Sequence, residues 1–511
     1  MSYSTYLLLT IATLTAPKNP KEENSTAAAE ADLHEILKGG EQRLLDVAVK
    51  FLKQKLSPTA TFRFEQEVQE ALRELGRALV QGTYNQLEPA DVNSLPKHVN
   101  FEADLHTRLN AKTPQNAWTL FGQIRLWRTG YRPSAKSGDA TIFPLALALG
   151  LVHGATPAMA ERAARLLSAT GMTQEQTLLR LRQDCGVGWG VKKLRQVTAA
   201  MSAAMTEQRH ETQVQKLLEL LEQAFQSRGR HKPVLSVGRD GITLGVRIRH
   251  GNLFEVATTG TVTVLDRRGR RLGTVYLAYT PESGQRTMSA ELTRLLRDVL
   301  KRWQGSLPRL CYVTDAGDNE TTYYDKVLRR MKHPRTGEKL AWMRVVDYYH
   351  ASERVWKMAD LLFGKGQQAA AWARKMQKWL LKPGGVNRVL HSAAALRDLY
   401  HLRGKKLADF KRAYRYMRDR MQYMRYAEYR SLGVPLGSGI TEAACKTVYT
   451  QRLKLSGMRW HKAGAQLILN LRVLQLSGVW DDAYAQVLQG FDDVKVGGHA
   501  KSQGNSTQKA A

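Results

Sequence analysis

Cysteine is scarce. Cys185, Cys311 and Cys445 are the three in 511 residues, and they stand far apart. That spacing fits neither a disulfide framework nor a zinc ribbon and reads as a reduced, cytosolic protein. No run approaches the ~20 apolar residues of a membrane span, so no membrane-spanning segment and no membrane partner is expected. The longest early apolar stretch, Tyr6 to Leu14 (YLLLTIATL), lacks a basic flank before it and is interrupted by threonine, which argues against a cleaved signal. No P-loop of the G-x4-G-K-S/T type occurs, against an ATP-driven helicase, and no His-hydrophobe-His pair, against a single-strand relaxase. Acidic residues are also short: 46 Asp+Glu face 77 Lys+Arg, a formal net charge of +31. Such a surplus points to a polyanionic partner, because each neutralised phosphate releases condensed counterions. Ribosomal, chaperone-like and membrane-surface proteins share basic compositions, so nucleic acid is the leading reading of the charge and not a statement about chemistry.

What is present is globular: 43% hydrophobic residues with 8% aromatics, in a chain long enough for about three domains. Residues 1–30 end in a polar, Ala-rich stretch and read as a flexible leader. Region 31–116 reads as helical, with Phe62, Phe64, Val68, Leu72, Leu75 and Leu79 at three- and four-residue steps. Region 117–226 opens with a small hairpin (Ala117–Tyr131) and continues with helices. Pro157 to Leu167 is one; Thr173 with Gln176 makes a capping-box start for a second after Gly171. Gly186 and Gly188 make a turn, and Trp189 begins a third helix carrying Lys192, Lys193 and Arg195. Helix, glycine turn and basic helix is a helix-turn-helix-like arrangement, which marks those three residues as candidate DNA contacts. A three-helix packing unit with solvated lysines gives the same pattern. A separate helix, Thr206 to Gln226, leads to a basic linker at 227–233.

Residues 234–366 change character. Val234–Asp240, Leu253–Leu265 and Arg271–Tyr279 read as strands, followed by an amphipathic helix (Met288–Trp303), a strand (Leu310–Thr314), a helix (Glu320–Arg330), a strand (Ala341–Asp347) and a helix from His350. An antiparallel meander followed by βα units predicts a mixed α/β sheet with helices on both faces. That order matches the RNase H-like fold, preceded here by an all-α N-terminal region. Residues 367–430 read as a basic helical insertion, 431–485 as the final part of the core, and 494–511 as a disordered tail.

Two aspartates end predicted strands, Asp240 and Asp315. In this topology the first and fourth strands are neighbours, so the two acids meet where ligand-binding side chains gather. Adjacent carboxylates resist joint ionisation, and a divalent cation removes the conflict. Mg²⁺, which binds carboxylates while keeping several waters, is the natural occupant. The third acid is Glu442, in the first turn of a helix opened by Gly437-Ser-Gly-Ile-Thr, with small neighbours Ala443, Ala444 and Cys445. Asp347 is the runner-up for third carboxylate, and His350 a candidate accessory group that orients a phosphate or water or packs where the fifth strand ends. Each acid taken singly also reads as a turn or helix cap.

The segments PLGSGITEAACK, QRLKLSGMRW and HKAGAQLILNLRVL within Gly433 to Leu474 resemble the DDE transposases of bacterial insertion sequences, most closely the ISKra group. Gly238-Arg-Asp240-Gly, Thr314-Asp315-Ala-Gly and Asp347-Tyr-Tyr-His350-Ala fit the same pattern, over roughly residues 120–485. The resemblance implies a triad of Asp240, Asp315 and Glu442 holding two Mg²⁺ ions, with Mn²⁺ as a substitute. It implies cleavage at element ends and strand transfer into target double-stranded DNA, by a homodimer or higher oligomer, in the cytoplasm at the nucleoid. Relatives often carry a cysteine-rich zinc element; this chain has none in the corresponding region, so no zinc is expected. Arg239, directly before Asp240, is a further departure that bears on metal affinity. Arg452, Lys454, Arg459 and Trp460 follow Glu442 as candidate DNA contacts. So do Arg412 and Arg415 in a helix Lys411–Arg430 that interleaves arginines with tyrosines; tyrosines packed inward with solvated arginines fit that helix equally. A domesticated DNA-binding protein or a structure-specific nuclease of the same fold is the alternative.

Overall fold

The computed structural model describes residues 20–101, 104–134, 140–492 and 497–498. The chain divides into two compact units, one made of Met1–Leu167, Met172–Ala204 and Tyr484–Ala511, the other of Ser168–Gly171 and Met205–Ala483.

In the first unit, α1 (Pro20–Leu52) and α2 (Pro58–Gln86) form a helical hairpin. Ser57 starts α2 by accepting from the Ala60 N–H at 3.1 Å, with Pro58 at the first helical position. Phe51 and Phe64 stack across the hairpin at 4.3 Å. α1 already runs through 20–30, inside the stretch read as a loose leader: its alanine-rich sequence is a good helix former. Residues 1–19 lie outside the described part.

This unit is not all-α, which corrects the expectation from sequence. β1 (His98–Phe101), β2 (Asp104–Thr119) and β3 (Gly122–Pro133) form an antiparallel sheet, with Gly497–Gly498 paired to β1. The hairpin is therefore far longer than 117–131. Buried Ile124 and Leu126 alternate with exposed neighbours on β3, while β2 has too few apolar residues to show a period of two. Apart from that glycine pair, the expected disordered tail at 494–511 falls outside the described residues. α3 (Pro144–Ala148), α4 (Pro157–Ser168) and α5 (Gln174–Cys185) follow. The Thr173–Gln176 capping box is formed in both directions, at 2.9 and 3.1 Å, and Gly186 closes α5 in the left-handed region. α6 (Val191–Gln226) is one continuous 36-residue helix. The two helices expected there are one because nothing between Val197 and Glu207 stops a helix: no glycine or proline intervenes.

The second unit is built on a five-stranded sheet of β4 (Val234–Ile248), β5 (Gly251–Leu265), β6 (Arg271–Tyr279), β7 (Arg309–Thr314) and β8 (Met343–Val346), in the order β6-β5-β4-β7-β8. β4, β5 and β6 are antiparallel; β4–β7 and β7–β8 are parallel. The first and fourth strands of the region are thus neighbours, as the element order predicts. Side chains alternate between two cores. Leu235 and Val237 pack with Leu292, Leu295 and Val299 of α7 (Arg286–Arg302), while Val234, Val313 and Val345 pack with Val355 and Met358 of α9 (Tyr348–Phe363). α8 (Asp318–Lys326) connects β7 towards β8. After α9 come α10 (Gln367–Leu380), α11 (Gly385–Leu399), α12 (Gly404–Arg418) and α13 (Tyr426–Ser431). The helix expected over Lys411–Arg430 is in fact two, separated by a 3-10 turn at Met421–Tyr423. α14 (Gly439–Cys445) and α15 (Lys462–Leu476) follow, and a last helix, Trp480–Asp492, begins in this unit.

Candidate carboxylate site

Parallel pairing of β4 with β7 stops at Val237 and Tyr312, although β4 continues to Ile248. That point lies at the carboxyl end of β7, where ligand-binding side chains gather in open α/β sheets. Asp240 does not end its strand, contrary to expectation; it sits in mid-β4, opposite Thr259 of β5, just past the last residue paired with β7. Asp315 follows the last residue of β7.

α14 packs on the face of the sheet shared by Gly238 of β4 and Thr261 of β5, and it brings Glu442. The approach is so close that a Cβ on Gly238 would lie 1.9 Å from Thr441 Oγ1. The Thr441 and Thr261 hydroxyls bond at 2.8 Å. One turn on, the Cys445 thiol donates to Asp240 Oδ2 at 3.4 Å. α14 then passes into a π-turn, Lys446–Thr450, a distortion often found at functional sites. The buried Tyr449 hydroxyl anchors it, 2.8 Å from the Thr258 carbonyl oxygen and 3.0 Å from that of Tyr279.

Burial is the main cause raising the Asp240 carboxyl above its ordinary value, and the charges of Asp315 and Glu442 push the same way; the Gly241 N–H and the Cys445 thiol oppose them. Burial drives the Cys445 thiol up to about 12, so it stays a protonated donor. Asp315 Oδ1 accepts from the Gly317 N–H at 3.0 Å.

A fourth acid escaped the sequence reading. Glu320, in the first turn of α8, is 7% exposed. A Cβ built on Gly317 would lie 2.5 Å from Glu320 Oε2 and 3.5 Å from Asp315 Oδ1, so those oxygens are no more than 6.0 Å apart. Burial, then the charges of Asp315 and Asp240, raise its carboxyl; Arg239 opposes. The only signal in the sequence was an acid early in the helix after Asp315, which reads as an ordinary first-turn residue.

Asp347 is fully buried and saturated. Oδ1 accepts from the N–H groups of Tyr349 at 2.5 Å and His350 at 3.2 Å, capping α9, while Oδ2 takes the N–H and, at 2.5 Å, the hydroxyl of Ser438. All four of its lone-pair sites are used by these donors. The Ser438 hydroxyl is also 2.8 Å from Glu442 Oε1, and His350 Nε2 lies 3.5 Å from the same oxygen. Both accessory candidates therefore adjoin Glu442. Arg239 is turned to the opposite face of β4, bonded to Ser289 at 3.1 Å and Gln285 at 2.8 Å and lying over Tyr323.

Asp240, Asp315, Glu442 and Glu320 offer only hard oxygen donors, the chemistry Mg²⁺ and Mn²⁺ take. Among the described residues no three His, Cys, Asp or Glu side chains are already gathered around one point. Asp240, Asp315 and Glu442 are held by the local donors just described.

The expected DNA contacts separate into two groups. Lys192, Arg195, Arg412, Arg415, Lys454 and Arg459 are exposed. Lys193 is half-buried, its ammonium 4.4 Å from the Trp118 ring centroid and bonded to the His153 carbonyl. Arg452 is 0% exposed and cannot touch DNA; its guanidinium lies over Trp460 at 5.4 Å, and burial lowers it to about 10. Trp460 is spent on the fold. Its N–H bonds the Gly245 carbonyl at 3.2 Å, its own carbonyl takes the Arg247 N–H at 2.8 Å, and its indole N–H bonds the Leu453 carbonyl at 2.8 Å. The tyrosines of 411–430 face inward: Tyr426 donates to the Val346 carbonyl at 3.0 Å and Tyr416 to that of Asp315, which removes them as stacking platforms.

Comparison of the chain with protein-family models and with curated proteins found no match.

Proposed function

We propose that the chain is a DNA transposase of the DDE type with an RNase H-like core, cleaving DNA at element ends and joining the freed end to a target. The observation that carries the reading is topological: β4, which bears Asp240, pairs with β7, which Asp315 follows, and α14, which bears Glu442, docks on β4 with its Cys445 thiol bonded to Asp240 at 3.4 Å. The excess of positive charge supports a phosphodiester substrate.

Asp240, Asp315 and Glu442, with Glu320 beside them, would hold divalent cations, which when bound supply nucleophile activation and neutralise charge on the leaving oxygen of an in-line displacement. The protein's own residues position that chemistry. β4 and α14 fix Asp240 and Glu442 against each other through Gly238, Thr441 and Cys445, and the Gly317 N–H orients Asp315. Exposed Lys454 and Arg459 bind backbone phosphates in this reading, as do Arg412 and Arg415. Water is the nucleophile for nicking and the freed 3′-hydroxyl for joining, so no covalent protein–DNA bond is required. Two DNA ends make a dimeric assembly natural.

The test is Asp315→Asn and Glu442→Gln in cleavage assays on duplexes carrying the ends of the element. Both should abolish Mg²⁺-dependent cutting while leaving duplex binding intact. Cutting retained by either variant removes that residue from the triad, and loss with Asp347→Asn alone would move the third acid.

A further inference from the structure

On the α7–α8 side of the second unit lies a cavity of about 910 Å³ lined by Arg294, Arg297, Lys326, Arg330 and Lys332. Arg294 and Arg297 share one face of α7, three residues apart. Lys326 ends α8, and Arg330 and Lys332 follow in the next turns. All five are exposed. Asp298 also lines the cavity, but it is already bonded to His210 at 2.6 Å. Arg294 has Glu291 at 3.6 Å; no ion pair engages the other four cations among the described residues. Five like charges around one concavity repel one another, and a run of anions relieves that repulsion where a single small anion neutralises only part of it.

We infer that this groove seats the phosphate backbone of duplex DNA, as a contact separate from the carboxylates. The lining has no Trp, Tyr or Phe, so it offers no stacking platform of the kind that holds unpaired bases, while cations alone suit phosphates. Its position fits a strand running on from the carboxylates. Lys326 is about 9 Å along α8 from Glu320 at 1.5 Å per residue, so both fall within a short run of one DNA strand. Basic residues on two walls, α7 and the segment after α8, would grip the backbone from both sides and set its register without reading sequence.

The inference rests on DNA being the partner, not on cleavage. The experiment uses the full chain with Arg297, Arg330 and Lys332 all changed to Gln, and measures fluorescence anisotropy of a labelled 30-base-pair duplex between about 50 and 200 mM salt. A control triple changes exposed Lys38, Lys53 and Lys55 of the first unit to Gln. The groove variant should bind at least about tenfold more weakly at 100 mM salt, with the slope of log K against log salt shallower by about 2–3. A variant with Arg297→Lys and Arg330→Lys should keep the slope of the unaltered chain. A slope unchanged in the groove variant, or matched by the control triple, overturns the groove. Equal loss for a single-stranded oligonucleotide, or displacement of duplex by polyglutamate at equal charge, overturns the duplex assignment. If the unaltered chain binds no duplex at low salt, DNA as partner fails and the groove with it; if it binds and the groove variant binds alike, only the groove fails.

Discussion

The Tyr416 hydroxyl donates to the backbone carbonyl of Asp315 at 2.7 Å. Tyr416 belongs to α12, in the helices between the fifth strand and α14, and Asp315 to the turn that ends β7. The next residue, Ala316, has φ +62°, a left-handed conformation that costs a residue with a Cβ roughly 1 kcal/mol or more. Arg420 holds that turn as well, donating to the Ala316 carbonyl at 3.3 Å and lying 4.6 Å from the Tyr416 ring centroid. Helices with exposed Arg412 and Arg415 on one side therefore fix the backbone that aims a candidate ligand on the other.

Tyr416→Phe follows from that contact. It removes one hydrogen bond, worth about 1 kcal/mol, and leaves the Asp315 carbonyl without its donor. Single-turnover cleavage should slow about tenfold and require more Mg²⁺, while duplex affinity and melting temperature stay close to those of the unaltered chain. Burial pushes the Tyr416 hydroxyl to about 12, so its donation, and the difference between the two proteins, should not vary from pH 6 to 9. Equal cleavage at all Mg²⁺ concentrations would show the turn to be self-supporting.

Gly238→Ala addresses the docking of α14. The new methyl would fall 1.9 Å from Thr441 Oγ1 and 2.9 Å from Thr261 Oγ1, so α14 must shift and carry Glu442 with it. Overpacking of this kind costs about 1–3 kcal/mol, and cleavage should be lost well before the fold. Adding Thr441→Ala removes the nearest atom and should restore part of the melting temperature, a coupling readable in a double-mutant cycle.

Asp240 carries a pH dependence whose sign can be worked out. Its folded-state carboxyl is raised above the ordinary 3.8, chiefly by burial. The protonated form therefore favours folding, and that contribution is present below pH 3.8 and lost as pH rises through the folded value. At neutral pH the ionised group works against the fold. Asp240→Asn should raise the melting temperature at pH 7 by a few degrees and lose that advantage near pH 3. Mg²⁺ should stabilise the unaltered chain more than the variant. A variant that melts lower at pH 7 would contradict the assignment.

The sheet was legible because its strands are apolar runs closed by turn residues, and β6 has the bounds read from sequence. The pairing of β4 with β7, the strands that carry and precede Asp240 and Asp315, was legible through element order. Side-chain direction was not. A basic, aromatic motif gives no hint that Arg452 and Trp460 turn inward while Lys454 and Arg459 face water, because burial depends on strands some two hundred residues away. Glu320 was hidden for the same reason: its closeness to Asp315 comes from the tight turn at Ala316 and Gly317, where no periodic pattern exists to be read.

Arg472 tests what holds the chain that follows Glu442. It is 1% exposed, and its guanidinium donates to the carbonyls of Thr447, in the π-turn, and Ser168, both at 2.8 Å, and to the Thr170 hydroxyl at 3.1 Å. Burial lowers it to about 10, which still leaves it charged at neutral pH. Arg472→Met keeps the bulk and removes every donor, stranding two carbonyls at about 1–3 kcal/mol each. Urea unfolding should show a loss of about 2–5 kcal/mol. Arg472→Lys should not repair it, because one ammonium lacks the planar fork that serves several acceptors at once. Loss of the donors also frees the π-turn, so cleavage should fall further than stability accounts for at temperatures where both variants remain folded. A stability loss with unchanged cleavage would mean that α14 holds Glu442 without help from the turn behind it.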